Sequence, residues 1–272
     1  MDDHSLSWAL DCAPRIKEQI GDRSPAFFLD FDGTLAPVAP RPDLVELPPR
    51  TKEVLASIAR RYLLCFVSGR GMLDLRRKIG LTSVFYAADH GQRIVGPLGS
   101  GIDLEVGGDK RSGLEAAAME LDRRLRPVAG AVVEAKGLSL SVHYRLVAEG
   151  ERPLVKQTVA DVADGFPDLR VTGGKLVREL RPQGAWDKGR AMLWLLKRLG
   201  WGKGDSCPVC LGDDQTDEDM FAAAAGWGVA VVVGDTGGRP THAHYRLRDC
   251  DEVVTLLEVL GAHDDSRARL IG

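Results

Sequence analysis

The stretch Phe27-Phe28-Leu29-Asp30-Phe31-Asp32-Gly33-Thr34-Leu35 constrains the fold more than any other part of this chain. An apolar run long enough for a buried strand ends in two aspartates two residues apart. Side chains on a strand alternate faces, so Asp30 and Asp32 point the same way. Gly33 permits a sharp turn just past them. Carboxylates at the carboxyl end of a buried strand sit where open α/β sheets place their ligands. The pair suits a nucleophile and a general acid/base, with a hard cation to hold down the charge. An isolated pair of this kind is more often a solvated strand end before a turn. The apolar run before it and the Gly-Thr after it weigh against that reading.

Four more apolar runs read as buried parallel strands, at 63–67, 84–88, 208–211 and 229–233. Helical patterns fall at 51–60, 72–79, 188–199 and 217–225. Strands alternating with helices give an α/β fold with a doubly wound, Rossmann-like parallel-sheet core. Between about 96 and 181 the pattern changes to α+β. Helices are expected at 111–125 and 153–162, and strands at 132–136, 138–146, 169–171 and 175–180. Gly137 and Gly173-Gly174 read as tight turns between neighbouring strands. The domain reading is therefore an N-terminal helix and linker at 1–24, a core from 25–96 and 182–261, an inserted α+β domain at 97–181, and a frayed tail at 262–272.

Composition narrows the function. The net charge of −3 with no basic block argues against a nucleic-acid binder. No stretch approaches the ~20 apolar residues of a membrane span. The start, Met1-Asp2-Asp3-His4, lacks the basic end and apolar core of a signal peptide, so the expected location is the cytoplasm. The five cysteines are scattered and odd in number, which is no disulfide framework. Cys207-Pro208-Val209-Cys210 is a lone C-x-x-C with one end in an expected strand. It reads as structural, with redox or zinc chemistry as the minor alternative.

The opening nonapeptide resembles the first motif of the haloacid dehalogenase superfamily of phosphohydrolases, and the other motifs follow in order. The run at 63–67 ends in Ser68-Gly69-Arg70, Asp187-Lys188-Gly189 opens an amphipathic helix, and 208–211 runs into Gly212-Asp213-Asp214-Gln215-Thr216-Asp217-Glu218. The resemblance implies that Asp30 attacks phosphorus and forms an aspartyl-phosphate, and that Asp32 protonates the leaving oxygen and then activates water. It implies that Ser68 binds a phosphoryl oxygen and that Lys188 neutralises charge. Mg²⁺ would be held by Asp30, the Asp32 carbonyl and Asp213, with Asp214 and Asp217 orienting or sharing that shell. Taken alone, Lys188 could be an exposed helix lysine and Asp217 a helix N-cap.

The inserted domain sharpens the resemblance. On 138–146, Leu138, Leu140, Val142, Tyr144 and Leu146 form one face, and Ser139, Ser141, His143 and Arg145 the other. One face is expected against helices and the other in water. Glu134 and Lys136 share parity, as do Lys175 and Glu179, so the wet face would carry groups fit to bind a hydroxyl-rich sugar. An ordinary solvated sheet face is the alternative. His90-Gly91, Lys136-Gly137, His143-Tyr144-Arg145, Gly174-Lys175 with Glu179, and the acidic heptapeptide together resemble trehalose-6-phosphate phosphatases. Asp187 departs from the Asn-like residue expected before the lysine. The resemblance implies Mg²⁺-dependent hydrolysis of trehalose 6-phosphate to trehalose and phosphate. Its implied substrate-binding residues are Gly69, Arg70, His90, Gly91, Lys136, His143, Arg145, Lys175 and Glu179, and the insert would be a cap roofing the phosphate site. Alternatives are a phosphatase for sucrose 6-phosphate or a glycosyl-3-phosphoglycerate, a phosphotransferase or mutase, and a catalytically silent sugar-phosphate-binding regulatory domain. The expected partner is a small-molecule sugar phosphate, with the chain a monomer open to functional coupling with a trehalose-phosphate synthase.

Overall fold

The apolar runs become buried strands of one mixed sheet. The structure is a computed structural model and describes residues 6–174, 176–184 and 186–262. The expected tail thus lies almost wholly outside the described residues. In chain order the first unit opens with β1 (Ser7–Trp8), α1 (Ala13–Ile20), β2 (Ser24–Leu29), α2 (Pro49–Ala59), β3 (Leu63–Val67), α3 (Met72–Ile79), β4 (Phe85–Ala88), β5 (Arg93–Val95) and β6 (Asp103–Glu105). A second unit follows, with α4 (Arg111–Leu125), β7 (Val132–Ala135), β8 (Leu140–His143), α5 (Arg152–Ala163), β9 (Leu169–Gly174) and β10 (Val177–Pro182). The chain then returns to the first unit with α6 (Lys188–Arg198), β11 (Ser206–Gly212), α7 (Glu218–Ala224), β12 (Val229–Val233), β13 (Tyr245–Leu247) and α8 (Cys250–Gly261).

The strand order of the large sheet is β1-β13-β12-β11-β2-β3-β4-β5-β6. Pairing is parallel from β1 through β4, and β5 joins β4 antiparallel. From β2 the chain moves first to β3 on one side and later to β11 on the other. The residues just past β2 therefore sit at the point where the strand order reverses, the usual ligand position in such sheets. β2, β3, β4, β11 and β12 are buried along their whole length. That is why they read as continuous apolar runs and not as alternating ones. On one face Phe28, Cys65, Phe85, Cys210 and Val232 share a core with Met192 and Leu195 of α6 and Phe221 of α7.

The unit boundaries fall at 104/105 and 185/186, with Arg70–Met72 grouped with the second unit. They were expected at 96/97 and 181/182. The difference at the first boundary arises because 103–105 pairs onto the large sheet as its edge strand. The N-terminal segment is also more than a helix and linker: Ser7 and Trp8 pair with Tyr245 and Arg246 and extend the opposite edge. β1, β5, β6 and β13 are two or three residues long. Strands that short carry no periodicity to read.

The second unit has its own four-stranded antiparallel sheet, ordered β7-β8-β10-β9. Leu114, Leu121, Leu140, Val142, Val155, Val159 and Leu180 form a core between that sheet and α4 and α5. Gly173 and Gly174 lie inside β9 and not in the turn. Leu176, just before β10, takes φ +63°. β8 ends at His143, so Arg145 and Leu146 lie beyond the sheet, and Leu146, expected on the apolar face, is exposed.

Candidate active site

β2 delivers Asp30 to the carboxyl edge of the sheet, where its N–H still donates to the Leu211 carbonyl of the neighbouring strand. Asp32 comes just after, in an isolated bridge with Ala36. Gly33 closes the turn at φ +83°, and a Cβ there would lie 2.2 Å from Asp213 Oδ2. The site thus needs glycine both for the backbone angle and for the approach of a carboxylate.

Lys188 is the first residue of α6 and is 2% exposed. Its Nζ donates to Asp30 Oδ1 at 2.6 Å and to Asp217 Oδ1 at 2.7 Å. The preceding Asp187 is the helix N-cap, accepting from the Arg190 N–H at 2.7 Å. That role explains the departure noted in the sequence, since Asp and Asn cap equally well. On the other side, Asp217 Oδ2 accepts the N–H groups of Asp213 and Asp214, at 3.1 and 3.0 Å. Asp217 thus makes no side-chain cap bond to the helix that follows it; its Oδ2 closes a capping box on the turn headed by Asp214, and its Oδ1 serves the lysine.

Asp30, Asp213 and Asp217 each bring an oxygen within 4.8 Å of the others. Burial pushes the Asp30 carboxyl up to about 8; Lys188 opposes the shift and Asp217 adds to it. Burial, then the neighbouring Asp30 and Asp217 charges, push Asp213 up to about 9. Asp217 is likewise raised by burial, with Lys188 working against the rise. For Lys188, burial acts to lower the pKa, and the Asp217 and Asp30 carboxylates outweigh it, so the amine is held charged. One ammonium faces three carboxylates. An oxygen-only set with surplus negative charge fits a hard divalent cation such as Mg²⁺.

Asp214 lies apart from this trio. It caps the following turn, accepting from the Gln215 N–H at 2.7 Å, and stands 3.6 Å from Arg239. Ser68 follows β3 and is 1% exposed. His90 N–H donates to the Ser68 carbonyl at 2.9 Å. The His90 ring lies against Gly69, where a Cβ would come within 2.5 Å of Nε2. Asp89 and His90 both take left-handed backbone angles, φ +49° and +57°, a costly pair for non-glycine residues. The Gly91 carbonyl accepts from Trp186 Nε1 at 2.7 Å, an anchor the sequence reading did not include. Ser68-Gly69 and His90-Gly91 are therefore one locked piece, and Arg70 beside it is buried.

In the second unit, Glu134, Ser141 and Glu179 are directly opposite one another across β7, β8 and β10. Glu134 Oε2 contacts His143 Nε2 at 2.8 Å. Burial acts to raise the Glu134 pKa, but His143, Lys136 and Arg70 outweigh it and hold the carboxyl below its usual range. Lys136 Nζ donates to Glu179 Oε1 at 3.1 Å. This face was expected to be wet, yet Ser139, Ser141 and Glu179 are buried. The sequence reading also passed over Arg181, which is buried and pairs with Glu179. Its signal was parity, two residues beyond Glu179 on the same strand. Lys175 lies outside the described residues. All five cysteines are free thiols, and burial pushes Cys207 up to about 11 and Cys210 higher still, as befits inert core residues.

Comparison with known proteins gives the family. A trehalose-phosphate phosphatase of Mycobacterium tuberculosis is 40% identical over 230 residues, covering 83% of this chain and 58% of that protein. A protein of the same organism described as an uncharacterized glycosyl hydrolase is 38% identical over 251 residues, 90% of this chain and 19% of its own length. The chain thus spans well under two thirds of either relative. The C-terminal domain of C. albicans trehalose-6-phosphate phosphatase has the same haloacid dehalogenase-type fold, with a TM-score of 0.75 at 22% identity over 93% of this chain and 98% of that one. The family model for trehalose-phosphatase matches residues 28–251, from the strand that bears Asp30 to the start of α8, and on that match the chain belongs to the trehalose-phosphatase family.

Proposed function

We propose that this chain hydrolyses trehalose 6-phosphate to trehalose and phosphate, with Mg²⁺ and through a phosphorylated Asp30. The observation that carries the reading is the buried Lys188 bridge between Asp30 and Asp217, beside Asp213. It joins three distant segments in a cluster that burial alone would disfavour. Lys188 takes one oxygen of Asp30 and leaves the other to attack phosphorus. As that P–O bond forms, the bond to the sugar oxygen breaks, and Asp32 gives the leaving oxygen its proton. Asp32 then takes a proton from water, which attacks the phosphoryl group and releases the Asp30 carboxylate. Ser68 and Lys188 bind the phosphoryl oxygens, with Gly69, Arg70, His90 and Gly91 fixing that side of the site. Asp30, Asp213 and the Asp32 carbonyl are the groups that would hold Mg²⁺. When bound, the ion neutralises charge building on the phosphoryl group. Asp217 orients this set, and Asp214 serves the turn behind it.

The second unit is the sugar reader, through Lys136, His143, Arg145, Lys175 and Glu179. Coupling to a trehalose-phosphate synthase and a monomeric, cytoplasmic state belong to the same proposal. Among the described residues no helix is long and apolar enough to cross a membrane. The deciding experiment measures phosphate release from a panel of sugar phosphates with and without Mg²⁺. Trehalose 6-phosphate should be the best substrate, and only with metal. Preference for sucrose 6-phosphate or a glycosyl-3-phosphoglycerate would transfer the reading to those substrates. Binding without phosphate release would favour a regulatory domain.

A further inference from the structure

A buried carboxylate must have its lone pairs filled, and the sheet of the second unit fills those of Glu179 from three directions. Lys136 Nζ and Ser141 Oγ each donate to Oε1 at 3.1 Å. Arg181 Nε donates to Oε2 at 2.6 Å, and Arg181 Nη2 pairs with the same oxygen. The register produces this convergence. Glu179 stands directly across from Ser141 on one side and Thr172 on the other. Arg181 lies two residues further along β10, on the same face. The Glu179 and Arg181 side chains are only 8% and 9% exposed, so water does not compete strongly for either.

The two ends of the carboxylate are held differently. Oε1 meets a lysine on a flexible stem and a small hydroxyl. Oε2 meets two N–H groups of one planar guanidinium, which fixes a direction as well as a distance. Remove Arg181 and the carboxylate loses this directional hold on Oε2. We propose that Arg181 is a positioning residue for sugar recognition, fixing the Glu179 carboxylate, and through it the Lys136 ammonium, in the orientation that meets the disaccharide. This rests on the reading that Glu179 and Lys136 face the sugar. Arg181 acts through Glu179 and not on the reacting phosphate.

The test compares wild type with Arg181→Met, Arg181→Lys, Glu179→Gln and the double variant Glu179→Gln/Arg181→Met. Each is assayed for kcat and KM on trehalose 6-phosphate and on p-nitrophenyl phosphate, alongside thermal unfolding. Arg181→Met should lower kcat/KM for the sugar phosphate about 10–100-fold more than for the aryl phosphate, chiefly through KM. Arg181→Lys, which keeps the charge and loses the fork, should recover part of that loss. In the Glu179→Gln background the further loss from Arg181→Met should shrink to under about threefold, because the partner is already gone. Equal losses on both substrates, or an undiminished loss in the Glu179→Gln background, overturn the proposal. No loss on the sugar phosphate also overturns it. If Arg181→Met does not fold, Arg181→Lys alone must still shift the ratio between the two substrates. Failure of the underlying reading is seen in wild type itself, which would then cleave the aryl ester and no sugar phosphate, and the proposal would fall with it.

Discussion

Asp30 is buried, paired with Lys188 and shares its surroundings with two more carboxylates, so single-atom changes there are informative. Asp30→Asn preserves shape and removes the nucleophile, and phosphate release should fall to background while the fold persists. Substantial turnover by that variant would exclude the aspartyl-phosphate route. Asp32→Asn should slow the sugar-phosphate reaction by ~10²–10⁴, the usual worth of a positioned acid/base. An aryl phosphate, whose leaving group needs less protonation, should lose less in its first step, and single-turnover kinetics would read the difference. The raised carboxyls also make a pH prediction. Asp213 holds its proton more tightly folded than unfolded, with a folded pKa near about 9 against an ordinary 3.8. Stability from such a group is fully present below the unfolded pKa and is lost as pH rises through the folded one. Metal-free protein should therefore lose stability from about pH 4 towards 9. Asp213→Asn, which cannot ionise, should melt higher than metal-free wild type at pH 8, by roughly 2–4 °C per kcal/mol, with the gap closing toward pH 4. Mg²⁺ should stabilise wild type most at the alkaline end. A metal-free wild type that gains stability over Asp213→Asn as pH rises would contradict the crowded-carboxylate account.

At the scale of elements, α6 and α7 decide where Lys188 sits. Gly189 packs so closely on α7 that a Cβ would lie 2.1 Å from the Asp219 carbonyl oxygen and 3.1 Å from Ala223 Cβ. The carbonyl is backbone and cannot swing away. Gly189→Ala should push the start of α6 off α7, costing about 1–3 kcal/mol as overpacking does, and carry Lys188 out of reach of Asp30. Activity should drop further than stability does, which parallel measurements of melting temperature and kcat would establish. A variant that melts lower with kcat intact would mean that Lys188 tolerates the shift. In the sequence Asp187 stands only as a departure from the residue expected before the lysine, and neither its N-cap role nor the contact at Gly189 is read there. A glycine before an amphipathic pattern carries no sign of which backbone comes near it. The same holds for β1, β5, β6 and β13, whose pairing depends on strands far along the chain.

For the whole molecule, the proposed function assigns the chemistry to the first of the two units and sugar reading to the second. Glu179→Ala should lower kcat/KM for trehalose 6-phosphate relative to an aryl phosphate by roughly 10–150-fold, the effect of losing a buried charged hydrogen-bond partner. Side-by-side kinetics on the two substrates reads that ratio. An unchanged ratio would detach the second unit's polar face from substrate choice. That face also marks where periodicity misleads. Alternation correctly assigned Leu138, Leu140, Val142 and Tyr144 to the core and Ser141 and Glu179 to the opposite face. It equated the polar face with water, although Ser141 and Glu179 are buried in a charge network.

The sequence by itself determined the α/β core and the positions of its buried strands, because strands covered on both faces must be apolar throughout. It determined as well the chain positions of Asp30, Ser68, Lys188 and Asp213, because each lies at the end of such a strand or the start of a helix. Only the tertiary structure decided that Asp217 joins Asp30 and Asp213 while Asp214 turns to its own loop. Adjacent aspartates read alike, and the choice is made by which one meets the backbone N–H groups of the turn and the lysine on α6. Parity on one strand put Arg181 on the same face as Glu179, but only the tertiary structure showed that face buried and the two side chains paired. It alone tied His90 to Ser68 and Gly69, through a left-handed turn that leaves no mark in residue order.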